Sequence, residues 1–157
     1  MTKKHQYATN VKWTGNLGDG TKGYASYTRD HIISVEGKPD IMASSDVAFR
    51  GDASRHNPED LFLASLSSCH MLWYLHLCSV EGVVITAYRD RAEGIMEEDK
   101  KGSGKFTKVV LKPLVEVASE EMKEKAIKLH HKANEYCFIA NSCNFPITHE
   151  PKVRVKE

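Results

Sequence analysis

From Leu61 to Val80 the chain carries no formally charged residue, and this uncharged run lies inside NPEDLFLASLSSCHMLWYLHLCSVEG, residues Asn57 to Gly82. The stretch opens with agreeing helix-start signals. Asn57 is a capping residue, Pro58 suits the first helical position, and Glu59 and Asp60 complement the positive helix end. Leu61, Phe62, Leu66, Met71, Leu72, Trp73, Tyr74, Leu75 and Leu77 fall on all sides of such a helix, which predicts a helix enclosed by other elements. At 1.5 Å per residue it runs to roughly 35 Å, long for a small domain, so a partner chain is one way to cover it. Length alone also fits a membrane span. Ser65, Ser67, Ser68, His70, His76 and Ser79 interrupt the run, however, and the rest of the chain is polar with both signs of charge, which favours a soluble core helix.

The chain's 157 residues suffice for one domain, 1–157, with a real core. Lys and Arg total 22 against 21 acidic residues, so no global field argues for nucleic acid or an anionic membrane as partner. The start MTKKHQYATN has no apolar export core and no Arg-rich amphipathic pattern, which makes the cytoplasm the expected location. There, Cys69, Cys78, Cys137 and Cys143 are expected to stay reduced, as structural thiols, metal ligands or reactive groups. Cys69 and Cys78 lie nine residues apart on one helix, on opposite faces and about 13 Å apart along the axis, and cannot bond to each other.

Strands are expected at Tyr7–Trp13, near Tyr24–Thr28 and at His31–Glu36, with the glycine-rich GNLGDGTKG as a hairpin turn after the first. That segment lacks the spacing of a phosphate loop. Residues 42–56 read as a polar loop packed at the helix entrance. After the helix, Val83–Glu93 and Phe106–Ala118 read as an antiparallel pair joined by the charged MEEDKKGSGK. Pro113 predicts an edge position or a bulge in the second. Ser119 is a candidate cap for a second helix running to about Tyr136 and ending near Cys137, and a last strand is expected near Lys152–Val155. The order, three strands, long helix, two strands, helix, strand, is α+β.

Cys69 sits about a dozen residues into its helix, beyond reach of the helix dipole, and burial alone would raise its pKa. A reactive Cys69 therefore needs a nearby cation, for which Arg50, Arg55 and His70 are candidates; otherwise it is a small hydrophobe. Cys137, at the end of the second helix in NEYCFIANSCNFPI, can point inward, and Cys143 lies six residues on. A metal site would recruit Cys69, His70, His76, Cys78, Cys137 and Cys143, but the close ligand pairs that announce zinc are missing. His130 and His131 point in different directions and are expected on a solvated helix face.

NPEDLFLASLSSC resembles the N-P-E-x-L-x-x-A-x-x-x-x-C entry of the OsmC/Ohr family, the osmotically inducible and organic hydroperoxide resistance proteins, and CFIANSCNFPI resembles that family's second cysteine signature. The element order matches too. The resemblance implies antiparallel sheets wrapped around a long central helix, an intertwined homodimer, and a thiol peroxidase without a cofactor. Cys69 would be the peroxidatic thiol, Cys137 the resolving thiol, and Glu59 the holder of an active-site arginine. One branch of the family carries that arginine in the first hairpin, where this chain offers only Lys22; the other carries it before the helix, where Arg50 of AFRGD is the expected match and Arg55 the second choice. The segment HMLWYLHLC is bulkier than the family norm, and CFIAN stands where C-P-x-S-N is commoner.

On this resemblance an organic hydroperoxide would oxidise Cys69 to a sulfenic acid, Cys137 would condense with it to a disulfide, and an external dithiol would reduce the product. Glu59 and Cys69 lie about 15 Å apart along one helix, so an arginine touching both is expected to do so across two subunits. Two other functions fit the same scaffold: a dimer binding a small lipophilic ligand with Cys69 inert, and sulfur or persulfide handling by the same thiols.

Overall fold

The computed structural model describes residues 2–156, in two compact units that divide between Leu61 and Phe62. The first unit holds a three-stranded antiparallel sheet of β1 (Asn10–Trp13), β2 (His31–Ser34) and β3 (Ile41–Ala43), in that order. Val11 faces Ile33, and Ile33 faces Ile41, across the ladder. The strand expected near Tyr24–Thr28 is absent. Those residues form turns that keep a single antiparallel bridge, Tyr27 to Asn16, and are tied to side chains: Ser26 Oγ donates to Gly23 O at 2.7 Å, and the Arg29 guanidinium takes the carbonyls of Tyr24 and Tyr27, both at 2.8 Å. The third strand is β3 instead, three residues at the edge of the expected loop, too short to announce itself by alternation.

Helix α1 (Pro58–Val80) begins as the sequence predicts. Asn57 Oδ1 accepts the Asp60 N–H at 2.8 Å and the Asp60 carboxylate accepts the Asn57 N–H at 3.4 Å, a reciprocal capping box. Its burial differs from expectation. Leu66, His70, Tyr74, Leu77 and Cys78 form one buried stripe, while Leu72 and Val80 stay 62% and 69% exposed. A single chain covers one side of the helix, not all of it.

In the second unit the expected antiparallel pair is present but broken in its middle. β4 (Ile85–Asp90) pairs with β7 (Pro113–Val117), and β5 (Glu93–Glu98) pairs with β6 (Gly104–Leu111). Asp90 makes the corner: Oδ1 accepts the Lys112 N–H and Oδ2 accepts the Ser67 hydroxyl, each at 2.6 Å. The bend splits one long hairpin into two sheets, β4-β7-β9 and β5-β6-β8. Pro113 is buried at the first residue of the central strand β7, not at an edge; at a strand start its missing N–H costs no ladder bond. β8 (Ile147–His149) and β9 (Lys152–Val155) return parallel to β6 and β7; β9 was expected and β8 was not.

Helix α2 (Lys123–Tyr136) follows a short 3-10 turn at Glu120–Met122. Ser119 makes no side-chain cap bond, because the intervening turn displaces the helix start by several residues. The main core joins Tyr74, Leu77 and Cys78 of α1 to Val115 and Val117 of β7 and Ala126, Leu129 and Ala133 of α2. A second cluster joins Leu66 to Val109 and Leu111 of β6.

Candidate active site

Helix α2 stops at Cys137, whose extended backbone (φ −67°, ψ 108°) turns its thiol inward. The sulfur is buried, accepts the Ala140 N–H at 3.4 Å, and lies beside the side chain of half-buried Cys69 on α1. Burial first, and then the neighbouring Cys69 thiol, push the Cys137 thiol up to about 12. Two thiols far apart in the chain are thus neighbours, both unbridged. Cys143 stands half-buried nearby in sequence, its thiol donating to Ile139 O at 3.3 Å, and burial raises its pKa. Cys78 lies in the main core, pushed up to about 11 by burial.

The residue after Cys69 takes no part in charging it. His70 is fully buried and its Nε2 lies 2.9 Å from His130 Nδ1, the two rings nearly coplanar. Desolvation holds His70 down to about 4 and His130 to about 3, so both are neutral at neutral pH and His70 supplies no cation. His130 is therefore not on a solvated face; Tyr74 stacks on it at 3.8 Å, while His131 beside it is exposed. His149 of β8 completes the group, 5.6 Å from the His70 ring. The signal for this pairing was present only as two histidines within otherwise predicted helices, and nothing in their spacing joins them. Among the described residues no cluster of three or more His, Cys, Asp or Glu is arranged to hold a metal ion.

The cationic candidates lie in the first unit. Arg55 is committed to two carboxylates, Asp52 at 3.3 Å and Asp30 at 3.7 Å. Arg50 is exposed and, among the described residues of its unit, makes no ion pair. Its φ of 63° is left-handed, the only such non-glycine among the described residues. The turn that holds it is firm: the Asp46 carboxylate accepts the Ala48 N–H at 2.7 Å, and a Cβ on Gly51 would fall 1.6 Å from Ser45 O. Arg50 caps the C-terminus of the 3-10 turn Val47–Phe49, its N–H donating to Val47 O.

Arg29, which sequence reasoning passed over, lies 4.2 Å from the ring centroids of both Tyr24 and Tyr27, and Arg50 approaches the Tyr24 ring at 5.9 Å. The close spacing of two tyrosines and an arginine in YASYTR was the available signal. Glu59 stands half-buried in the first turn of α1.

A family model described as OsmC-like protein matches residues 51–152. Among solved structures, the chain is similar to an OsmC-like protein of unknown function from Vibrio cholerae, 31% identical over 95% of this chain and 100% of that one, with a TM-score of 0.83. It has the fold of an organic hydroperoxide resistance protein from Elizabethkingia anophelis (18% identity, 98% and 100% covered, TM-score 0.69). It likewise has the fold of an organic hydroperoxide resistance protein OsmC from Legionella pneumophila (20% identity, 97% and 100% covered, TM-score 0.68). No curated protein matches the chain.

Proposed function

The chain belongs to the OsmC-like family, and from that premise we propose that it is a cysteine-based peroxidase that reduces organic hydroperoxides. The observation that carries the proposal is the meeting of Cys69 and Cys137. The Cys69 thiolate attacks the distal oxygen of the hydroperoxide; the O–O bond breaks, the alkoxide takes a proton and leaves as an alcohol, and the sulfur becomes a sulfenic acid. The Cys137 sulfur then displaces the sulfenic oxygen, which departs as water once protonated, and a Cys69–Cys137 disulfide remains. An external dithiol takes up the oxidising equivalents and restores both thiols.

Arg50 is assigned as the activating cation in preference to Arg55, whose charge Asp30 and Asp52 already balance. Glu59 of the partner subunit in a homodimer is assigned to orient it. The homodimer also supplies a cover for the exposed side of α1, where Leu72, Trp73 and His76 line a depression of about 290 Å³ suited to an alkyl chain. The cytoplasm, with its reducing pool, suits four free thiols.

The same depression supports the second possibility, a binder of small lipophilic molecules in which Cys69 does no chemistry. Consumption of tert-butyl hydroperoxide in the presence of dithiothreitol separates the two. A peroxidase loses turnover in Cys69→Ser, whereas Cys137→Ser still oxidises once and accumulates a dimedone-reactive sulfenic acid. Wild-type turnover in Cys69→Ser would refute the peroxidase.

A further inference from the structure

Besides the apolar core that Tyr74, Leu77 and Cys78 share with Ala126, Leu129 and Ala133, the two helices that bring the thiols together are joined at two places. At one, His70 of α1 and His130 of α2 share a buried hydrogen bond of 2.9 Å, with Tyr74 stacked on His130. At the other, Trp73 of α1 packs on Tyr136 at 5.1 Å and on Phe138 at 5.5 Å, the two residues that flank Cys137. Cys69 adjoins His70 on α1, and Cys137 follows His130 by two turns, about 10 Å along α2. The aromatic contact is apolar and tolerates sliding and rotation. The imidazole pair does not: it is directional and fully buried, whereas the other polar tie at this junction among the described residues, Lys125 Nζ of α2 to the Glu81 carbonyl just past α1, is exposed.

We propose that His70 and His130 are positioning residues for the thiol pair, their hydrogen bond fixing the rotation of α2 against α1 so that Cys137 stays within bonding reach of Cys69. The proposal rests on the peroxidase assignment for its role in turnover, but its geometric content does not. One imidazole must donate and the other accept, so the bond needs at least one of the two rings neutral. The remaining ring nitrogens, His70 Nδ1 and His130 Nε2, have no partner, so the pair has no alternative bond to fall back on. Its surroundings are known from every side. His149 of β8 faces both rings, His131 of α2 faces His149, and the Tyr74 ring in turn packs on Tyr88 of β4, its hydroxyl without a partner. No carboxylate stands among these neighbours to hold a protonated imidazole.

Which nitrogens meet dictates the test. Gln places its amide nitrogen where His70 Nε2 lies, and Asn places its own where His130 Nδ1 lies, so His70→Gln and His130→Asn can keep the link. His70→Leu and His130→Leu remove it. The double Leu variant replaces both partners by apolar groups and leaves no buried orphan, which preserves the fold while the directional link is gone. Each protein is oxidised with one equivalent of tert-butyl hydroperoxide, and sulfenic acid (trapped by dimedone) and disulfide are followed by mass spectrometry of the quenched samples. In parallel, the disulfide is formed with diamide and equilibrated with dithiothreitol.

The expected result is that the double Leu variant makes sulfenic acid at the native rate but closes the disulfide about tenfold more slowly, as a small misplacement of reacting groups does. Its disulfide should be about tenfold less stable against dithiothreitol, near 30 mV in potential. The Gln and Asn variants should fall near wild type on both measures. A double Leu variant with native closure rate and native dithiol equilibrium overturns the proposal. Should the native protein form no sulfenic acid, the peroxidase assignment fails, and the diamide and dithiothreitol equilibrium still decides whether the histidines position the thiols.

Discussion

The Ser67 hydroxyl donates to Asp90 Oδ2 at 2.6 Å, two residues before Cys69, and so ties the helix of the candidate nucleophile to the corner where one hairpin becomes two sheets. The other oxygen of Asp90 holds the Lys112 N–H. Bonds to a charged acceptor contribute about 1.5–3 kcal/mol each, and losing the acceptor leaves both donors unpaired. Asp90→Ala is therefore expected to lower unfolding free energy by about 3 kcal/mol in urea melts. Ser67→Ala, which removes one bond only, should cost about half as much.

Acid should destabilise the protein through its buried histidines. His70 and His130 are held at about 4 and about 3 in the folded state, below the ordinary value of 6.5. The unfolded chain thus binds protons that the folded chain refuses, and stability falls as pH drops below 6.5 toward these lower values. Each histidine contributes a slope approaching about 1.4 kcal/mol per pH unit in that window, with no slope from this source above pH 7.5. Guanidinium melts between pH 5 and 8 check this, and His130→Asn should flatten the dependence.

Arg50 offers a separation of stability from activity. A left-handed backbone costs a side-chain-bearing residue about 1 kcal/mol relative to glycine. Arg50→Gly, with φ near 63° already in place, should raise the unfolding free energy by roughly that amount while slowing Cys69 oxidation by alkyl hydroperoxide. A variant both less stable and fully reactive would contradict the assignment. Gly51→Ala should do the reverse of harmless, because its Cβ cannot fit against Ser45 O without displacing the turn that carries Arg50.

Arg29 is expected to act as the organiser of the turns between β1 and β2. It donates to the carbonyls of Tyr24 and Tyr27 and lies over both rings. Lysine cannot reproduce two parallel bonds and a planar stack. Arg29→Lys should therefore cost about 1–2 kcal/mol and show, by hydrogen exchange, faster opening of residues 14–30 with little change around α2.

Much of this molecule was legible in its sequence, for reasons that are local. Asn57, Pro58, Glu59 and Asp60 mark the start of α1 because capping needs only residues within one turn, and the uncharged run from Leu61 to Val80, broken by serines and histidines, reads as a helix in need of cover. Cys69 and Cys137 were singled out differently, by the resemblance of their two signatures to a known family, since each alone reads as a structural thiol. What local chemistry could not show was the break at Asp90 and Lys112, since a single carboxylate turns a hairpin into two sheets by reaching a hydroxyl on another element. Nor could it show that His130 faces inward. An imidazole is at home in solvent or, neutral, in a core, and only the approach of His70 from sixty residues away decides between them. The sequence by itself determined which segments form helices and which thiols are worth attention. The tertiary structure decided which polar side chains meet, because a buried hydrogen bond depends on two partners at once and no single stretch of chain contains both.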